Sequence, residues 1–209
     1  PDKFLNYLEE FEKNKIEYLH LDIMDGEFVP NFALGTDYIK NLRKYTEIPF
    51  DFHFLVINPI TKMRWFDIRE GDQVSFHFEK NDNIVECIEY VKSKKAKVFI
   101  AINPETDFKK LTQYFNLIDG VVIMTIEPGF LGKKLIPFTI DKTKKLSEYL
   151  KANNLDLDIE VDGNITIENA RILYENGATM FVAGTSSIFG VTERTITDII
   201  LEKRKAINW

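Results

Sequence analysis

The chain has 209 residues, enough to bury one sizeable core, and 44% of them are hydrophobic, an ordinary share for a globular protein. A formal net charge of −6 excludes the basic stripe of a nucleic-acid surface, although local backbone dipoles can still hold a small anion. A lone cysteine excludes an internal disulfide, and no apolar run is long enough to span a membrane. With no secretory signal opening the chain, a cytoplasmic protein without a membrane partner is expected.

The first stretch, "DKFLNYLEEFEKN", places Phe4, Leu8 and Phe11 on one helical face. Short β-rich runs then follow in order: "YLHLDIM", "PFDFHFLV", "QVSFHFE", "KVFIAIN", "GVVIMTI", "LDIEVDG" and "ATMFVAGT". Amphipathic stretches separate them. In "NIVECIEYV" the shared face Ile84, Cys87, Ile88 and Val91 makes Cys87 a packed, inert thiol rather than a nucleophile. "TIDKTKKLSEYLKANN" and "TIENARILYENG" read as helices too, the second stopping at Gly177.

Strand and helix alternate from end to end without a linker, which predicts βα units, a parallel sheet and one α/β domain over 1–209. An open doubly wound sheet and a closed (β/α)8 barrel both fit. No glycine-rich dinucleotide fingerprint follows the first strand, which weakens the open sheet. Seven strand runs are visible and a helix opens the chain. A closed barrel therefore needs a further strand before Pro1, missing from this sequence.

All three histidines, His20, His53 and His77, sit in apolar strand runs. Any one alone reads as a core histidine with a satisfied hydrogen bond. Together with Asp22, Asp51 and Asp162 in similar strand positions they read differently, because buried carboxylates and imidazoles are costly unless paired or bound to a metal. Two imidazoles and two carboxylates suit Zn, Mn, Fe or Co, if the ligands converge from different strands. A second constellation is glycine-rich: "EPGFLG", "DGN" and "AGTSS" follow the last three strand runs, where barrels often cradle phosphate with backbone N–H groups. Met24 and Met124 end strand runs near the same place and read as core filling or an apolar cap.

These stretches together resemble the ribulose-phosphate 3-epimerase family, which includes the allulose-6-phosphate 3-epimerases. "HLDIMDGEFVPN" is the most specific segment, then "MTIEPGF" and "EVDG", with "DFHFLV", "FHFE" and "VAGTSSIF" in the same chain order. The resemblance implies a (β/α)8 TIM barrel of the ribulose-phosphate-binding type, with one divalent metal ion held by His20, Asp22, His53 and Asp162. It further implies that Asp22 and Asp162 are the two acid/base carboxylates of a ketose-phosphate 3-epimerase, passing a proton through a metal-stabilised enediolate. Substrate and phosphate would meet His53, then Gly129, Phe130, Leu131 and Gly132 in one loop, and Gly163, Asn164, Gly184 and Thr185 in the next two. Ribulose 5-phosphate is the expected substrate, with xylulose 5-phosphate the product. Allulose 6-phosphate is the close competitor, and Asn103 and Pro104 lean slightly that way. A small-molecule sugar phosphate is thus the expected partner, with no nucleic acid, and self-association into a homo-oligomer is expected.

Leu55, Leu131, Lys133 and Asn164 depart from the commoner family pattern, the last three on the phosphate side. Two rivals remain. A decarboxylase or aldolase on a related barrel would need a strand-end lysine, which no run supplies. A non-catalytic sugar-phosphate-binding barrel would be marked by loss of a ligand or carboxylate, and all four persist. His77 reads as a supporting residue behind the site, and Asp51 as structural.

Overall fold

The computed structural model describes residues 2–189 and 195–208. Helix α1 (Asp2–Lys13) leads into β1 (Leu19–Asp25), a two-residue β2 (Phe32–Ala33) and α2 (Thr36–Leu42). Then come β3 (Phe50–Leu55), α3 (Pro59–Met63), β4 (Gln73–His77), α4 (Ile84–Ser93) and β5 (Lys97–Ile102). After a 3-10 segment, Phe108–Tyr114, the chain continues through β6 (Gly120–Met124), α5 (Phe138–Ala152), β7 (Asp158–Asp162), α6 (Ile167–Glu175), β8 (Met180–Phe181) and α7 (Ile196–Ala206).

The sheet order is β2-β1-β3-β4-β5-β6-β7-β8. Seven strands run parallel in chain order, as the seven apolar runs predict, and curl into a half-barrel with helices alternating between them. The unforeseen member is β2, which turns back antiparallel onto Met24 and Asp25. Among the described residues no ladder joins β8 to β1, so the ring has a gap there.

Aromatic alternation explains β3. In "FDFHFL" the rings of Phe50, Phe52 and Phe54 take one face and join the large core cluster with Ile60, Met63 and Phe66. Asp51 and His53 are thereby sent to the other face. Leu8 and Phe11 of α1 are buried as the amphipathic pattern requires; the Phe4 side chain lies outside the described residues. Thr166 caps α6 by accepting a hydrogen bond from the Asn169 N–H (3.1 Å), and Gly177 ends it at φ +98°. No helix among the described residues is long and apolar enough to cross a membrane.

Cys87 is fully buried on α4 with Ile84, Ile88 and Val91, and burial pushes its thiol up to about 11. We expect native protein to leave a disulfide reagent unconsumed at pH 8 and unfolded protein to consume one equivalent at once. Rapid labelling of the native chain would refute the inert-thiol reading.

Lys203 of α7 is also buried, its ammonium donating to the Ile165 carbonyl at 2.6 Å, and burial lowers it to about 8 from an ordinary 10.5. Between those values the unfolded chain binds the proton and the folded chain does not, so stability rises with pH across that window. Relative to Lys203→Met, the parent should gain on the order of 3 kcal/mol between pH 7 and pH 11 in urea unfolding. A flat difference would show that Lys203 titrates normally.

Candidate active site

Strand parity assembles the site. Side chains at i and i+2 share a face, so the inner face receives His20 and Asp22 from β1, Asp51 and His53 from β3, Gln73 and His77 from β4, and Glu160 and Asp162 from β7. Register sets Asp22 beside His53 and Asp51 beside His20. On the other strands, Phe99, Ala101, Val122 and Met124 form a small apolar cluster with Met180 against it. The interior is divided into a polar half and an apolar half.

The four residues expected to share a metal do converge. His20 Nε2 lies 3.3 Å from Asp22 Oδ1 and 3.9 Å from Asp162 Oδ2. His53 Nδ1 lies 3.2 and 3.5 Å from the same two oxygens. One ligand atom from each falls within 4.8 Å of the others. Two features fit a cation here. His20 Nε2 is buried without a hydrogen-bond partner, and its Nδ1 stands 2.5 Å from Asp51 Oδ2. The Nδ1 hydrogen is thus committed to a carboxylate, so in the neutral ring that a metal requires the lone pair is on Nε2, facing the cluster. Two imidazole nitrogens and two carboxylates could hold one divalent ion of the zinc, iron, manganese or cobalt kind.

Charge within the cluster is tightly balanced. Burial opposes the charged form of His20, yet Asp51 and Asp22 hold it well above the histidine range. Burial likewise works against His53, but hydrogen bonds with Asp162 and Asp22 raise it to about 9. For Asp22, too, burial disfavours the charge, and the two histidines overcome it, holding the carboxyl far below the carboxylate range. Glu160 goes the other way, pushed well up first by burial and then by the charge of Asp51. The Gln73 amide nitrogen donates to both Asp51 (3.0 Å) and Glu160.

His77 lies behind the cluster, against His53. Its Nε2 is 3.1 Å from His53 Nε2 and its Nδ1 3.2 Å from Glu79 Oε2, and burial lowers the imidazole. Burial opposes charge on Glu79, but hydrogen bonds from His77, Thr106 and the Asn103 N–H hold it near 2.

Glu160, Gln73 and Glu79 escape the sequence reading. Parity could have found the first two, since Glu160 stands two residues before Asp162 and Gln73 four before His77. Glu79 lies beyond the end of β4, where alternation no longer ranks side chains.

A cavity of about 1460 Å³ opens over the cluster. Gly129, Phe130, Leu131, Gly132, Gly163, Asn164, Gly184 and Thr185 all line it, as do Met24 and Met124. His53 is not among the lining residues: it is fully buried and meets Asp22 and Asp162 instead. Along the gap between β1 and β8 the cavity reaches Leu8, Phe11 and Ile200. Gly163 is required by geometry, because its φ is +119° and a Cβ there would collide with the Ile126 side chain. Asn164 takes the left-handed conformation that asparagine tolerates, φ +52°. Its side-chain oxygen accepts from the Leu135 N–H (3.3 Å) and from the Asn169 amide (3.2 Å), tying the loop before α5 to the turn after β7. The departure at this position therefore has a structural use.

The Ribulose-phosphate 3 epimerase family model matches residues 2–189. A ribulose-phosphate 3-epimerase of Methanocaldococcus jannaschii is 36% identical over 179 residues, 86% of this chain and 75% of that protein. One from Bacillus subtilis is 32% identical over 190 residues, 90% and 87% of the two chains. Among solved structures, a mutant tryptophan synthase alpha-subunit from Pyrococcus furiosus superposes with a TM-score of 0.64 over 100% of this chain and 93% of its own. At 16% identity that likeness speaks to the barrel-type fold alone. Family match, extended identity and the order of the strand-end motifs agree: the chain belongs to the ribulose-phosphate 3-epimerase family and is an enzyme of the isomerase class.

Proposed function

We propose that the chain inverts carbon 3 of a ketose phosphate, converting D-ribulose 5-phosphate to D-xylulose 5-phosphate and back by two-carboxylate proton transfer. One observation carries this reading: Asp22 and Asp162 come from β1 and β7, which are not neighbours in the sheet, yet their carboxylates meet the same two imidazoles. Inverting a carbon beside a ketone requires a proton to leave one face and another to arrive on the opposite face. Two carboxylates on different walls can do this. Asp22 takes the proton in one direction while Asp162 delivers one, and the roles reverse on the way back.

A divalent ion held by His20, Asp22, His53 and Asp162 supplies, when bound, Lewis-acid charge for the oxygens flanking the reacting carbon. Gly163, Asn164, Gly184 and Thr185 hold the phosphate from the turns after β7 and β8, and the loop Gly129–Gly132 closes over it. Met24 and Met124 form an apolar wall that keeps water from the carbon acid.

The test is proton exchange at carbon 3, followed by NMR in heavy water with metal added, on ribulose 5-phosphate and allulose 6-phosphate in parallel. Faster deuterium entry into ribulose 5-phosphate, with its epimer appearing, supports the reading. Faster entry into allulose 6-phosphate transfers it to the longer sugar. Exchange in neither, from folded and metal-loaded protein, overturns it in favour of a binding barrel.

A further inference from the structure

His53 is fully buried and uses both ring nitrogens. Nδ1 faces Asp22 and Asp162, while Nε2 lies 3.1 Å from Nε2 of His77. Two imidazole nitrogens at that distance share one hydrogen, so one donates and the other accepts. What lies beyond His77 decides which. Its Nδ1 is 3.2 Å from Oε2 of Glu79, and the other Glu79 oxygen already accepts from the Asn103 N–H (2.9 Å) and from the Thr106 hydroxyl. An ionised carboxylate only accepts, so His77 Nδ1 carries its hydrogen, and the neutral ring presents Nε2 as an acceptor. His53 Nε2 must then donate, so when the ring gives up the proton that the two aspartates hold on it, the nitrogen left bare is Nδ1, which faces them.

The far end of this chain of bonds is anchored. Lys142 Nζ donates to the carbonyls of Asn103 (3.0 Å), Pro104 and Thr106 (2.7 Å), holding the segment that supplies the Glu79 donors. At the near end, the His53 and His77 rings stack with centroids 5.2 Å apart, and the Phe28 ring covers His77 at 4.6 Å. His20 has a direct carboxylate partner in Asp51, whereas His53 has none on its outer nitrogen and reaches one only through a second imidazole.

We propose that Glu79 and His77 are positioning residues that fix the tautomer and orientation of His53, presenting Nδ1 to the divalent metal. The inference rests on the metal reading of the four-residue cluster. It predicts that this ligand is set from the segment after β5, outside the cluster itself.

The experiment titrates metal-free protein with Co(II), reading affinity by competition with a chromophoric chelator and ligation by the visible cobalt bands. His77→Phe keeps a ring but removes the acceptor, and should weaken affinity by roughly 10–100-fold, the usual cost of losing an outer partner of a metal-bound histidine. His77→Gln, which restores an acceptor oxygen, should recover most of that loss. Glu79→Gln, at the more exposed end of the chain, should weaken affinity in the same direction and serves if His77→Phe does not fold. The cobalt bands should change in His77→Phe and Glu79→Gln while the metal-free melting temperatures stay close to the parent. Parent affinity and an unchanged spectrum in both variants, with affinity lost in His53→Ala, would overturn the positioning role alone. Parent affinity in His53→Ala itself would remove the metal reading and this inference together.

Discussion

Asp162→Asn is expected to abolish net epimerisation while the protein stays folded. The substitution keeps shape and volume but removes the group that must donate or accept a proton on one face of the substrate. General acid/base groups are worth on the order of 10²–10⁴-fold, and loss of a carboxylate from the four-residue cluster adds to that. The fold has little reason to change. What ties Asp162 to its neighbours in the sheet is its carbonyl, which accepts from the Thr125 N–H (2.7 Å) and hydroxyl (2.9 Å), and an amide side chain leaves those bonds in place. The measurement is kcat on both sugar phosphates beside a circular dichroism spectrum. Turnover within a few-fold of the parent would remove Asp162 from the mechanism.

His53→Ala should weaken binding of a divalent metal by more than about a hundredfold, beyond the range for an outer partner. The imidazole is the link between the two aspartates and His77, so its removal takes away a ligand nitrogen and leaves the buried His77 Nε2 without its partner. A loss in stability accompanies this, because the site lies among fully buried side chains that cannot collapse freely. Titration of metal-free protein gives the affinity and thermal melting gives the stability. Unchanged affinity would show that the ligand set lies elsewhere.

The parallel architecture is legible in the sequence because the strands are short apolar runs separated by amphipathic stretches, and each such pair has one economical topology. The polar residues around the site are legible for the same reason, since His20, Asp22, Asp51, His53, His77 and Asp162 break apolar runs at positions of matching parity. It is the family resemblance that singles out His20, Asp22, His53 and Asp162 among them. Legibility fails where pattern fails. Strand β2 has two residues and no periodicity to reveal it, and "ATMFVAGT" shrinks to a two-residue β8 whose Met180 and Phe181 are only partly buried. Glu160 and Gln73 lie deeper in their strands, where a single polar residue among aliphatics passes for noise until its neighbours are known. Glu79 becomes meaningful only when β5 and its following segment are set beside it.

The alternation in β3 limits how this gene can change. Substituting one aromatic ring for another aliphatic group in Phe50, Phe52 or Phe54 alters packing by degrees. Inserting or deleting one codon between Phe50 and His53 does something different in kind, because the two faces of the strand exchange occupants. Rings would then enter the polar chamber while Asp51 or His53 turned toward the helices. Length variation among descendants of this chain should therefore collect in the turns and be absent from β3, and directed-evolution libraries built on it should randomise that segment without changing its length.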